Sequence, residues 1–470
     1  MPDLLQFVDA IGGSPTVRLD LNDDATWSVQ YEGTDFSPPQ LRQAWASTLL
    51  ADGEQLAAAA YGNRTIRLRL DLQTASLDAA WTQLQALHRE LDRESNLLRW
   101  RPQGTTNPVF FRTIRSMANR VTEFPGPGLL RTVDVEIEAE PFALGLKETL
   151  GPFTVTNNPA AGSNGMYLDL TGVKGDVETP LKITIPYSGT ATTWMFAVRR
   201  RGTPGSSPFV LQCESMTQGS DTSTQPNDAA MSGAGNNFSR TSFATNAAMA
   251  QRLSTSWPPP GVDVRGRYRV FVLVRRSSGT GAINAKLGWG PKGGTASVFG
   301  APASAATINS AFFDLGLVSY PGGTDPVADG YSGTALSVLD QTVAIWAERI
   351  SGTSTIDWDY LLFVPADDRL TFVTRPLSIT DYVSTPNGEK VVVDGATESL
   401  YALWGTGEII GGWAGPTISG KLVGGWPAAS PGVTNRLYAV QTGVPVSPAT
   451  TAQVTIEYWP RYLYARPASS

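Results

Sequence analysis

Few side chains in this sequence are equipped for chemistry. There is one histidine, His88, and one cysteine, Cys213, in 470 residues. A Ser-His-Asp arrangement would have to use His88, which falls among residues of helical spacing and reads as a buried or interface histidine on an apolar face. A Cys-His pair would have to form between two separate regions of the chain. Zinc needs Cys and His clustered at short spacing, so a single residue of each leaves it without a ligand set. Gly415-Pro-Thr-Ile-Ser-Gly420-Lys421 matches the first part of a phosphate-binding loop. Leu422 then replaces the magnesium-holding Ser or Thr, and Gly424-Gly425-Trp426-Pro427 breaks the helix that the motif requires. Asp357 and Asp359 lie two apart on an expected strand, with Asp367-Asp368 nearby. A hard cation such as calcium is a better use for such carboxylates than acid–base catalysis. Trp257, Trp289, Trp413 and Trp426 each sit beside Gly or Pro, hence near turns. A flat ring there could stack on a sugar face, so these four are the glycan-contact candidates. No catalytic residue, cofactor site or firm metal site emerges.

The elements that would position these residues fall into three blocks. In residues 1–145, Arg64-Thr-Ile-Arg-Leu-Arg-Leu-Asp-Leu72 alternates strictly, which predicts a half-buried strand. Ser76 is placed to cap a helix over 77–94, with Asp78 in its first turn. Leu77, Trp81, Leu84, His88 and Leu91 recur at three- and four-residue steps and predict its buried face. Thr132-Val-Asp-Val-Glu-Ile-Glu-Ala-Glu140 is a second alternating strand. Its outward Asp134, Glu136 and Glu138 can pair with Arg67 and Arg69, within one subunit or between neighbours. In residues 146–370, short apolar runs alternate with turn signals and predict a β-sandwich. The runs include Phe209–Gln212, Tyr268–Val274, Phe312–Val318 and Asp359–Val364. The polar stretch 215–256 reads as a long loop or insertion, and Arg275-Arg276 as a solvated strand end. Residues 371–470 continue in strands, either completing the sandwich or forming a small β domain. The fold class is therefore mainly β, with one α+β block at the start.

Bulk composition narrows the function. Charged residues make up 17% of the chain, below the ~25% usual for soluble proteins. A net charge of −6 without a basic tract gives no nucleic-acid footprint. No apolar run approaches the ~18 residues of a membrane span, so no membrane insertion is expected. Met1-Pro2-Asp3-Leu4-Leu5 does not open a signal peptide, and a lone cysteine forms no internal disulfide. The expectation is a protein made in a bacterial cytoplasm that leaves inside a particle.

The order of elements in residues 1–145 resembles the ring-forming domain of siphophage distal tail proteins. The resemblance lies in the Arg64–Leu72 strand, the helix after Ser76, the strand around Val109–Arg115, and the acidic strand running into Glu140-Pro141-Phe142-Ala143. Phe312-Phe-Asp-Leu-Gly316 and Ile356-Asp-Trp-Asp-Tyr-Leu-Leu-Phe-Val-Pro365 look like the jelly-roll, galectin-like or carbohydrate-module-like domains often attached to that family. Ser430-Pro-Gly-Val-Thr-Asn-Arg-Leu-Tyr438 and Val454-Thr-Ile-Glu-Tyr-Trp-Pro-Arg-Tyr-Leu463 resemble the last hairpin of phage minor tail proteins. The resemblance implies a non-enzymatic homohexameric ring at the virion tail tip. Its partners would be the tail tube, the tail hub, the tape measure protein and, through the β-domains, a host-surface glycan. The alternative is a glycan-binding or receptor-binding module with no ring-building role.

Overall fold

The computed structural model describes residues 3–47, 54–123, 129–155, 167–186, 193–199, 209–226, 228, 231, 237–243, 248–257, 266–279, 282–291, 298–299, 303–305, 310–320, 341–365, 371–374, 377–380, 390–403, 417–419, 422–423, 426–441 and 452–464. The protein is mainly β, built from antiparallel sheets with a single described α-helix. It forms two compact units. The first comprises Met1–Thr149, Val173–Thr179 and Glu457–Ser470, and the second comprises Leu150–Gly172 and Pro180–Ile456.

In the first unit, one sheet runs Val17–Asp20, Leu4–Val8, Ser95–Arg101, Val109–Ile114, Leu129–Ala139, Arg64–Thr74, Trp27–Asp35. Val109–Ile114 and Leu129–Ala139 meet at a single pair, Thr113 with Ala139. Beyond this corner, Leu129–Ala139 pairs instead with Met117–Glu123. The predicted strands pair in full register, from Leu129 opposite Thr74 to Ala139 opposite Arg64. Ile66, Leu68, Leu70 and Leu72 share one core with Val133, Val135, Ile137, Phe7, Leu98 and Phe111. Alternation of apolar and polar residues is what lets one strand face serve that core.

The helix spans Leu77–Leu91, and the Ser76 hydroxyl accepts the Ala79 amide at 3.1 Å. Its buried residues are Ala80, Leu84, Leu87, Glu90 and Leu91. The expected face is therefore rotated: Leu77, Trp81 and His88 are exposed. Two stripes of helical spacing share Leu84 and Leu91, and the core takes the one containing small Ala80.

The segment Arg461–Tyr462 returns to this unit and pairs with Ala143–Leu144. Tyr462 is buried in the same core, and Leu463 contributes a carbonyl to Arg64 Nη2. Arg64 is itself buried, stacked 5.2 Å from the Phe111 ring centre, and burial lowers its pKa to about 10.

In the second unit, two six-stranded sheets enclose one core and form the expected sandwich. One sheet is ordered Thr222–Gln225, Phe238–Phe243, Ser354–Pro365, Gly266–Gly279, Ser310–Tyr320, with Phe209–Gln212 also pairing Ser354–Pro365. The other is ordered Thr217–Gln218, Ala250–Trp257, Gln341–Ser351, Ala282–Pro291, Val298–Phe299, with Ala303–Ala305 also pairing Ala282–Pro291. Val270, Val272, Val274, Trp358, Leu361 and Phe363 meet Leu253, Ile283, Leu287, Val343 and Ile345 in that core. The stretch 215–256, expected as a loop, contributes several of these strands. Beside the apolar Met216, Phe243 and Leu253, its inward residues include hydroxyls that bond inside the core. Thr241 Oγ1 accepts from Trp358 Nε1 at 2.8 Å and lies 2.8 Å from Thr222 Oγ1, and Ser239 Oγ donates to the Cys213 carbonyl at 2.9 Å. A composition that looked like solvent-facing loop is thus a satisfied interior.

Two further sheets are made jointly by residues before 200 and after 370. Lys182–Pro186 pairs with Lys390–Asp394, and Thr193–Arg199 pairs with both Thr371–Thr374 and Asn435–Gln441. Asn435 is fully buried and ties the preceding turn together by bonding the Ser430 amide and carbonyl, both at 2.8 Å.

Candidate functional site

The first unit offers the most distinctive surface. Four strands in the order Met117–Glu123, Leu129–Ala139, Arg64–Thr74, Trp27–Asp35 form an antiparallel subsheet. Among the described residues, both outer strands pair on one side only. Such edges leave backbone N–H and C=O groups directed outward, a template for another strand. The Trp27–Asp35 edge breaks register between Gln30 and Asp35, and Tyr31 projects there at 68% exposure. Met117 on the opposite edge is 73% exposed, with Val121 also exposed.

The polar face of this subsheet holds the predicted charges. Arg69 Nε lies 3.1 Å from Asp134 Oδ1, and Arg67 Nη2 lies 3.6 Å from Glu136 Oε1, each pair in direct cross-strand register. Glu138 is opposite Thr65 and accepts from Asn63 Nδ2 at 2.9 Å. The opposite-sign faces therefore pair within the chain. Exposed pairs of this kind contribute only ~0.2–1 kcal/mol each, so they align strands more than they hold them.

The same unit carries large exposed apolar side chains. Among the described residues, Val17, Tyr31, Leu41, Trp45, Tyr61, Leu77, Trp81, Ile114, Met117, Val121, Leu130 and Tyr464 of this unit are exposed. Leu41, Trp45 and Tyr61 stand on a two-stranded hairpin, Leu41–Ser47 with Glu54–Tyr61, that joins no other described sheet. An isolated hairpin is marginal in water, so this one gains from a covering surface.

The remaining candidates separate rather than converge. Asp357 is fully buried and gives its oxygens to two guanidiniums, Arg240 Nε at 2.6 Å and Arg275 Nη2 at 2.9 Å. Asp357, a calcium candidate from the sequence, thus has its oxygens directed at guanidiniums. Asp359 is buried one residue before Tyr360, where the strand bulges opposite Leu273. Among the described residues no group of three or more His, Cys, Asp or Glu is placed to hold a metal. Arg275, read as a solvated strand end, lies within the long strand Gly266–Gly279 and is three-quarters buried in this ion-pair row. Its partners Asp357 and Asp228 lie 82 and 47 residues away, so no local signal announces them.

Cys213 is buried, and burial pushes its thiol well above the usual value, helped by the charges of Asp359 and Glu214. Such a thiol is a poor nucleophile. Trp257 and Trp289 lie on strands either side of Gln341–Ser351, Trp426 is half-buried beside Pro427, and Trp413 lies outside the described residues. Asp367-Asp368 and most of the loop 415–421 lie outside them too, although Thr417–Ser419 is a strand. No described helix is long and apolar enough to cross a membrane.

No family model matches the chain, and no curated protein matches it. Solved structures similar to it include phage hub and baseplate proteins. One is SPP1 Dit (gp 19.1), described as a paradigm of the hub adsorption apparatus in phages infecting Gram-positive bacteria. It is 10% identical over 98% of this chain and 99% of that one, with a TM-score of 0.37. Another belongs to the phage P2 baseplate in its activated conformation with calcium, 7% identical over 97% and 98%, with a TM-score of 0.29. A third comes from the strontium form of the activated p2 baseplate, 9% identical over 76% and 98%, with a TM-score of 0.25. At these scores the likenesses carry no argument of their own.

Proposed function

We propose that the chain is a non-enzymatic structural subunit of a phage tail tip, forming a homo-oligomeric ring between the tail tube and the tail hub and carrying its second unit as a decoration. The observation behind this reading is the four-stranded subsheet with an open edge on each side. Joining the Met117–Glu123 edge of one copy to the Trp27–Asp35 edge of the next is a head-to-tail contact. Contacts of that type close into rings when the rotation between copies allows. The exposed apolar residues of the first unit give the contact its hydrophobic component. Arg67, Arg69, Asp134, Glu136 and Glu138 flank it as an internally paired row. The tape measure protein and a host-surface glycan are further partners that this role would bring.

The test is assembly. Light scattering and electron microscopy of the full chain should show a ring. The double substitution Met117→Lys with Val121→Lys places two charges on one open edge. It should give a folded monomer, since neither side chain is buried. Rings formed as readily by this variant would overturn the edge contact. A chain that remains monomeric both alone and with tail-tube and hub proteins would overturn the ring itself.

A further inference from the structure

The sandwich carries a charged row that takes no part in the proposed ring contact. Arg240, Asp357 and Arg275 occupy one lateral row on three neighbouring antiparallel strands, with Asp357 opposite an arginine on each side. The row lies on the face turned away from the shared core, because Ile356 and Trp358 on either side of Asp357 both belong to that core. Arg240 grips Asp357 with two bonds, Nε to Oδ1 at 2.6 Å and Nη2 to Oδ2 at 3.0 Å. Arg275 reaches Oδ2 from the other side, through Nη2 at 2.9 Å and Nε at 3.3 Å. Both guanidiniums also lie beside the Phe238 ring, at 5.1 and 5.8 Å from its centre.

Two cations on one buried carboxylate leave a positive charge to be met. Asp228 meets it, with Oδ2 2.5 Å from Arg275 Nη2. The two carboxylates differ in kind. Asp357 is fully buried within a strand, whereas Asp228 lies between strands and its side chain is 32% exposed. The first fixes both guanidiniums, and the second is an oxyanion seated on Arg275 from a segment between strands. We propose that this row is an oxyanion-binding site which the chain's own Asp228 occupies, and that a carboxylate or phosphate group of an external ligand can take its place. Arg275 Nη2 can donate a charge-assisted bond to either group, and once Asp228 swings away the guanidiniums need not move, because Asp357 and Phe238 hold both in place. The proposal stands apart from the ring reading, since it uses only the sandwich.

The experiment compares the full wild-type chain with Asp228→Asn, each titrated calorimetrically with inorganic phosphate and with acetate at constant ionic strength in chloride. Asp228→Asn should bind one of these anions at least about tenfold more tightly than wild type, and the preferred anion names the oxyanion. Adding Arg275→Gln to Asp228→Asn should abolish the gain. An Asp228→Asn chain with the unfolding temperature of wild type and no gain for either anion would mean that Asp228 is a staple only. Should that variant not fold, the wild type decides. Met231 donates its amide to the Asp228 carbonyl at 2.9 Å. Phosphate or acetate that displaces Asp228 should speed hydrogen exchange at Met231, and exchange unchanged across both titrations would overturn the proposal.

Discussion

At Asp357 a carboxylate with no exposed surface balances two arginines. Its removal would leave both guanidiniums facing a partly desolvated pocket. Breaking one side of a buried pair costs about 3–5 kcal/mol, far more than an exposed pair contributes. Asp357→Ala should lower unfolding free energy by that amount in a denaturant titration, and a loss below ~1 kcal/mol would show that water already screens the row. Because the oxygens point at cations, millimolar calcium should leave the thermal midpoint of the wild-type chain unchanged. A calcium-dependent rise would reveal a site that this row does not explain. The sequence singles out Asp357 but not its role. Arg240 and Arg275 lie far from it along the chain, and only the register of three strands brings them together.

Local pattern was a good guide to elements wherever one face meets one core. Strict alternation located Arg64–Thr74 and Leu129–Ala139, and the Ser76 cap fixed the helix start. Alternation fails for Phe238–Phe243, whose inward Ser239 and Thr241 are polar yet fully buried. Helical spacing fails for Leu77 and Trp81, since it identifies stripes and the sheet beneath chooses between them. The last turn of the helix adds a pH-sensitive element. Glu90 is buried, which pulls its carboxyl upward, but hydrogen bonds from Arg93 and Asn96 and the Arg93 charge outweigh that and leave it below its ordinary 4.5. A carboxyl lowered by folding contributes stability that is complete above its unfolded value and disappears as pH falls through the folded one. Wild-type stability should therefore decline below about pH 4.5 more steeply than that of Glu90→Gln, followed by chemical denaturation across that range. Equal slopes would locate the acid sensitivity elsewhere. The returning strand Arg461–Tyr462 is a different kind of element, one the first unit cannot lack. Tyr462 is buried in its core, and truncating a buried aromatic costs ~3–5 kcal/mol. Tyr462→Ala should accordingly lower the first transition in calorimetry, and an unshifted transition would show that the unit closes without it.

The units of the whole molecule are nested, which no reading of consecutive blocks can express. The first unit pairs Ala143–Leu144 with Arg461–Tyr462, and the second unit lies in the chain between them. Within the second unit, Arg199 is paired with Thr371, and the sandwich lies in the chain between those two. The sandwich closes on itself as well, because its first strand pairs with its last, Phe209 opposite Phe363. Both ends of the insert are thus neighbours, and so are both ends of the gap that receives it. Replacing a folded insert by a short turn between paired strands changes loop-closure entropy by only ~1 kcal/mol or so, since that cost grows slowly with length. Excising residues 200–370 and joining Arg199 to Thr371 through a short glycine-containing turn should leave the remaining sheets folded. Calorimetry should then show the loss of one transition while the others keep their temperatures. In the ring reading, the shortened chain should still assemble with the same number of subunits. The sandwich would then be a replaceable decoration on a conserved-by-geometry frame, free to carry its oxyanion row without constraint from the ring. A shortened chain that cannot fold would mean instead that the jointly built sheets depend on the sandwich, and that nesting in sequence is not independence in energy.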